Sequence, residues 1–62
     1  MKFKDMMLIE AAYPGNIGIM ELINFNQRAT PAERQEMKRV IEESDWNRFK
    51  MLIKKVLGVE LK

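Results

Sequence analysis

Three local signals that stop or restart a helix divide this chain into short stretches, and they limit it to a bundle of small elements. Pro14 pushes Tyr13 out of helical geometry, and Gly15 permits the turn that follows. Thr30-Pro31-Ala32-Glu33 places a capping threonine before a proline in the first helical position, with a glutamate set to return a hydrogen bond to the cap. Ser44-Asp45 interrupts the chain a third time, since either side chain can cap the next helix. The fold class expected is all-α, a compact bundle of three to four short helices in one domain covering residues 1–62.

Nothing but packing is available to hold such a bundle. With 62 residues and neither cysteine nor histidine, the chain has no disulfide and no cysteine or histidine ligand for a structural zinc. A core of this size supplies no more than roughly 3–5 kcal/mol, so tight helix packing, oligomerisation or a partner is expected. Absence of cysteine also fits a reducing compartment.

The stretches differ in how clearly they read as helices. Residues 46–57 divide cleanly: Trp46, Phe49, Leu52, Ile53, Val56 and Leu57 occupy one arc, Asn47, Arg48, Lys50, Lys54 and Lys55 the other. Gly58 is placed to end this helix in a left-handed cap, and Val59 and Leu61 are expected to fold back onto the core. The helix opened by Pro31 has a narrow inward stripe of Met37, Val40 and Ile41 and belongs on the surface with one edge buried. From Ile17 to about Arg28, behind an Asn16 cap, apolar residues surround most of the wheel, which predicts a central helix covered on several sides, with Met20 as core filler. Residues 3–12 are helix-friendly, but Lys4, Asp5 and Glu10 scatter around the wheel and leave no single polar face. They read either as a first helix or as a detachable segment.

Composition excludes several functions. Apolar content of 47% is too high for a disordered chain, and a formal charge of +2 does not announce a nucleic-acid or membrane partner. No apolar run approaches the roughly 20 residues needed to span a bilayer, so no membrane role is expected. The N-terminal stretch also lacks the apolar region and cleavage site of a secretory signal. Charge is nevertheless uneven. Residues 30–45 carry three basic and five acidic side chains, and residues 46–62 carry five basic and one acidic, so neighbouring helices of opposite sign should attract one another.

Catalytic equipment is not evident. Without histidine or cysteine, the usual nucleophile and base pairs cannot be assembled, and Thr30 and Ser44 are already assigned to capping. Glu36, Glu42 and Glu43 read as a solvated helix face, and the three glycines do not form a phosphate-cradling loop. No enzyme activity, cofactor or metal is expected. Two surfaces remain as binding candidates. The first is the basic arc Asn47, Arg48, Lys50, Lys54 and Lys55 with Met51 at its middle, where core packing does not account for a methionine; this suits an acidic protein or phosphates. A helix-turn-helix reading of residues 31–57 would make the chain a nucleic-acid binder, but its turn lacks glycine and its lysines position on phosphate rather than read bases.

The second candidate is the N-terminal stretch itself. Met1-Lys2-Phe3-Lys4-Asp5-Met6-Met7-Leu8-Ile9-Glu10-Ala11 resembles the targeting peptide that begins several internal head proteins of T-even-like bacteriophages. There a Met-Lys start, an aromatic residue, an acidic residue and a Leu-x-Glu or Ile-x-Glu before a small residue direct the protein into the prohead, and a phage protease cuts after the glutamate. The resemblance covers about a fifth of the chain. It implies that Phe3, Leu8, Ile9 and Glu10 act in targeting and that Glu10-Ala11 is the scissile bond. The function expected is that of a small non-enzymatic phage or prophage protein, found in the host cytoplasm or the virion, whose partner is a head component. The alternatives are an early phage protein that binds a host enzyme through the Met51 face, and a nucleic-acid-binding helical protein.

Overall fold

The structure, a computed structural model, describes residues 2–61 and forms four helices with no strand among them: α1 (Phe3–Ala12), α2 (Ile19–Arg28), α3 (Pro31–Glu42) and α4 (Trp46–Leu57). The all-α expectation holds, and residues 3–12 are a helix. None of the four exceeds 12 residues, a length at which an isolated helix is marginal in water, so each depends on burying a face.

Each break is made by a different device. Tyr13 takes the extended conformation that Pro14 requires, while its N–H still donates to the Ile9 carbonyl at 2.9 Å. At the start of α3 the capping box is complete: the Glu33 N–H donates to the Thr30 hydroxyl at 3.2 Å, and the Thr30 N–H donates to Glu33 Oε1 at 2.8 Å. Arg34 adds a contact that residue patterns alone do not reveal, donating to the Ala29 carbonyl at 2.7 Å and so fastening α3 to the end of α2. Between α3 and α4 the division of labour is now visible. Asp45 caps α4 by accepting from the Arg48 N–H, while Ser44 adopts a left-handed φ of 54°. The Ser44 and Asp45 N–H groups then donate to the carbonyls of Ile41 and Val40, the double closure of a Schellman motif. Gly58 ends α4 in a left-handed conformation with φ 72°, as expected, and its N–H reaches the Lys54 carbonyl.

The second helix starts later than the sequence pattern predicts. Its N-cap is Gly18 rather than Asn16, without a side-chain cap bond. Ile17 lies ahead of the helix and is buried, standing with Leu22 at the two positions of a hydrophobic staple. With α2 in this register Leu22 and Phe25 point inward, so Met20 falls on the opposite side and is 66% exposed. It is not core filler.

α4 packs against both α2 and α3, and α1 packs against α2. The centre is therefore shared by α2 and α4, whose Leu22, Phe25, Phe49 and Ile53 are fully buried. Each such side chain contributes roughly 1.5–3 kcal/mol on leaving water. α3 contributes Met37 and Val40 and leaves its charged face in solvent, with Lys55 of the basic α4 lying 3.8 Å from Glu33 across their contact; the acidic excess of residues 30–45 comes from Glu43 and Asp45 after the helix, and α3 itself is balanced. Tyr13, Trp46 and Phe49 form an aromatic trio with ring centroids 5.1 to 5.5 Å apart, two of the three pairs edge-on. The trio carries the end of α1 onto α4. Beyond α4, Leu61 packs against the core as expected, whereas Val59 is exposed.

Candidate functional site

α1 shows two different faces. Met6 and Ile9, followed by Tyr13 just past the helix, recur at three- and four-residue spacing and are buried. On the outer side Phe3 is 60%, Met7 53% and Leu8 62% exposed, three large apolar side chains within ten residues of helix. Lys4, Glu10 and Ala11 are exposed beside them. This helix is apolar on both sides and covered on one.

The residues singled out by the phage resemblance are thus separated by burial. Phe3, Leu8, Glu10 and Ala11 face solvent, while Ile9 is 4% exposed and belongs to the core. The Glu10-Ala11 peptide lies inside the helix, so a protease that reads extended backbone would have to unwind α1 and withdraw Ile9.

The basic arc of α4 is real but partly neutralised. Lys54 donates to Glu60 at 2.6 Å, and that hydrogen bond, aided by the lysine charge, holds the Glu60 carboxyl below its ordinary pKa. Lys55 approaches Glu33, whose pKa is lowered first by the hydrogen bond from the Thr30 backbone and further by the Thr30 hydroxyl and Lys55. Asn47 and Arg48 are exposed and Lys50 is half-buried. Met51 is 70% exposed, and with Arg48, Lys55, Leu52 and Glu36 it borders a shallow hollow of about 310 Å³. The arc is therefore a mixed surface with an apolar centre.

A larger groove, about 600 Å³, runs between α1 and α3. Leu8, Ile9, Ala12, Ile41 and Trp46 give it apolar walls, and Asp5, Lys38 and Glu42 stand at its rim. Leu8 thus faces the groove, while Phe3 and Met7 lie outside its lining. No group of three or more histidine, cysteine, aspartate or glutamate side chains suited to a metal ion occurs among the described residues. Tyr13 is placed for packing: burial raises its pKa, and its ring belongs to the aromatic trio. No described helix is long and apolar enough to cross a membrane.

No family model matches the chain, and neither the curated proteins nor the solved structures include a detectably similar one.

Proposed function

We propose that this chain works as a non-enzymatic protein-binding module whose principal contact is the outer face of α1. The observation that carries this reading is the two-sided apolarity of α1, which leaves Phe3 and Met7 in water when its other side is already packed. A helix apolar on all sides is ordinarily covered on all sides. In a domain this small, the contact would also add to a thin stability margin.

Within this reading the chain is a small phage or prophage protein, carried into the head when the outer residues Phe3, Leu8, Glu10 and Ala11 meet a head component. Processing after Glu10 would follow only where that partner unwinds α1. Mass spectrometry of purified particles is expected to find a form beginning at Ala11; an intact Met1 form there refutes processing after Glu10, and no copy in particles refutes head packaging.

The exposed Met51 favours a second reading, an early protein that binds a host enzyme through α4. Paired variants separate the two. Met7→Asp is expected to abolish capture of a purified partner while Met51→Asp leaves it intact, and the reverse result assigns binding to the α4 face. Retention by both variants overturns both surfaces. Duplex DNA binding that weakens steeply with salt would instead support nucleic-acid binding by the lysines of α4.

A further inference from the structure

We infer that the groove between α1 and α3 holds a small amphiphilic carboxylate, its charged end at Arg34 and Lys38 and its apolar tail running toward Ile41 and Trp46. This site is separate from Phe3 and Met7 on the outer face of α1, which lie outside the lining of the groove.

Size and wall chemistry set the class of occupant. At about 600 Å³ the groove falls within the roughly 300–1,000 Å³ of small-molecule sites. Its apolar walls, Leu8, Ile9, Ala12, Ile41 and Trp46, come from α1, α3 and α4, so a hydrocarbon chain laid there leaves water on more than one side.

Charge decides which amphiphile fits. Lys2, Arg34 and Lys38 line the groove against Asp5 and Glu42, and of these only Arg34 is half-buried. The others are exposed, where water weakens their effect. Arg34 Nη1 donates to the Ala29 carbonyl at 2.7 Å and to the Asn26 carbonyl at 3.4 Å, which holds the guanidinium in place. Both acceptors are neutral. Arg34 has no carboxylate partner, and its Nε and Nη2 have no acceptor, among the described residues. A half-buried guanidinium that is fixed, uncompensated and left with free donors is a seat for a planar carboxylate.

The rest of α3 gives the ligand its direction. Lys38 follows Arg34 by four residues on the same face, and it too has no ion pair among the described residues. Glu42 stands two turns past Arg34, about 12 Å along the helix, and disfavours a negative group at that end. Trp46 lies beyond the same end of α3, where its ring meets Tyr13. The carboxylate therefore sits at the start of α3 and the tail at its finish.

Trp46 is the only tryptophan and lines the groove, so its fluorescence reports occupancy. Titration with decanoate below its micelle concentration is expected to give a saturable change. Octanoate should bind about tenfold more weakly, since it buries two fewer methylenes. Decyltrimethylammonium, with the same chain and the opposite charge, should bind at least about tenfold more weakly than decanoate. Lys38→Glu should weaken decanoate by about tenfold. Arg39→Glu makes the same charge change one residue later, in a different hollow beside Gln35 and Glu43, and should cost less than about twofold. Arg34→Gln should match Lys38→Glu. It also cuts the tie to Ala29, so circular dichroism accompanies it, while the exposed Lys38 keeps the test independent of folding. No saturable change with decanoate, equal affinity for the two charge types, or equal losses in Lys38→Glu and Arg39→Glu overturns the site. Met7→Asp should leave decanoate binding unchanged; loss of binding there would put the amphiphile on the outer face of α1 and refute the groove.

Discussion

Adjacent residues of α1 provide the sharpest test of whether this helix belongs to the fold. Ile9 is buried with Met6 against the rest of the molecule, while Leu8, one residue earlier, stands mostly in solvent at the mouth of the groove. Truncating a buried isoleucine to alanine costs roughly 2–5 kcal/mol, and the lower half of that range applies here because α1 packs chiefly on α2 and the freed space opens toward the surface. A loss of about 2–3 kcal/mol is most of the roughly 3–5 kcal/mol that a domain of this size commands. Ile9→Ala should therefore lower the melting temperature by about 10–20 °C. Leu8→Ala should change stability by less than about 0.5 kcal/mol. Circular dichroism follows the helices, and Trp46 fluorescence reports the aromatic trio that Tyr13 joins at the end of α1. Equal and small effects at the two positions would mean that α1 does not dock as described, and the detachable-segment reading would gain from that result. A larger loss at Leu8 would mean that the inner and outer faces are reversed.

Thr30→Ala removes the hydroxyl half of the α3 capping box and should cost about 1 kcal/mol in urea unfolding; no change would mean that the box does not stabilise α3. Gly18→Ser should raise stability by about 0.5–1 kcal/mol, since Gly18 has an ordinary extended φ, no atom lies within 4 Å of an added Cβ, and Glu21 already occupies the return position of a capping box. Ser44→Gly should stabilise by about 0.5–1 kcal/mol, relieving a left-handed non-glycine residue at some cost in chain entropy; thermal melting gives the sign. Glu33 has a folded pKa below its ordinary 4.5, so its contribution is present above that value and is lost as pH falls through the lowered folded value. Glu33→Gln should flatten that part of a stability profile taken from neutral to acid pH.

Much of the fold was legible in local chemistry. The capping box at Thr30, the left-handed Gly58, the clean arc of α4 and the narrow stripe of α3 each express a rule that operates within one helical turn, and each appears in the structure. What local pattern could not supply was register. The start of α2 depends on whether Ile17 is worth more as the first helical residue or as a buried staple ahead of the helix, and that comparison involves side chains from the whole core. Met20 was misplaced for the same reason. The aromatic trio likewise joins residues more than thirty positions apart, and the Pro14 break conceals how it forms. On the α4 face the basic residues were legible, but their neutralisation by Glu33 and Glu60 was not, because those carboxylates come from α3 and from beyond Gly58.

The N-terminal helix gives this difference its physical meaning. An amphipathic pattern measures imbalance between two sides of a helix, so a helix with apolar residues on opposite sides produces little pattern at all. Met6 and Ile9 face inward and Phe3 and Met7 outward, and read together around the wheel they largely cancel. A targeting peptide, which need not fold against anything, also shows no clean face. The two cases separate only when burial is known, because an unfolded address has no reason to hold Ile9 in a core while Leu8 remains in water. The absent polar face of α1 then follows from the contact made within the chain together with the second contact, with another molecule, that we propose.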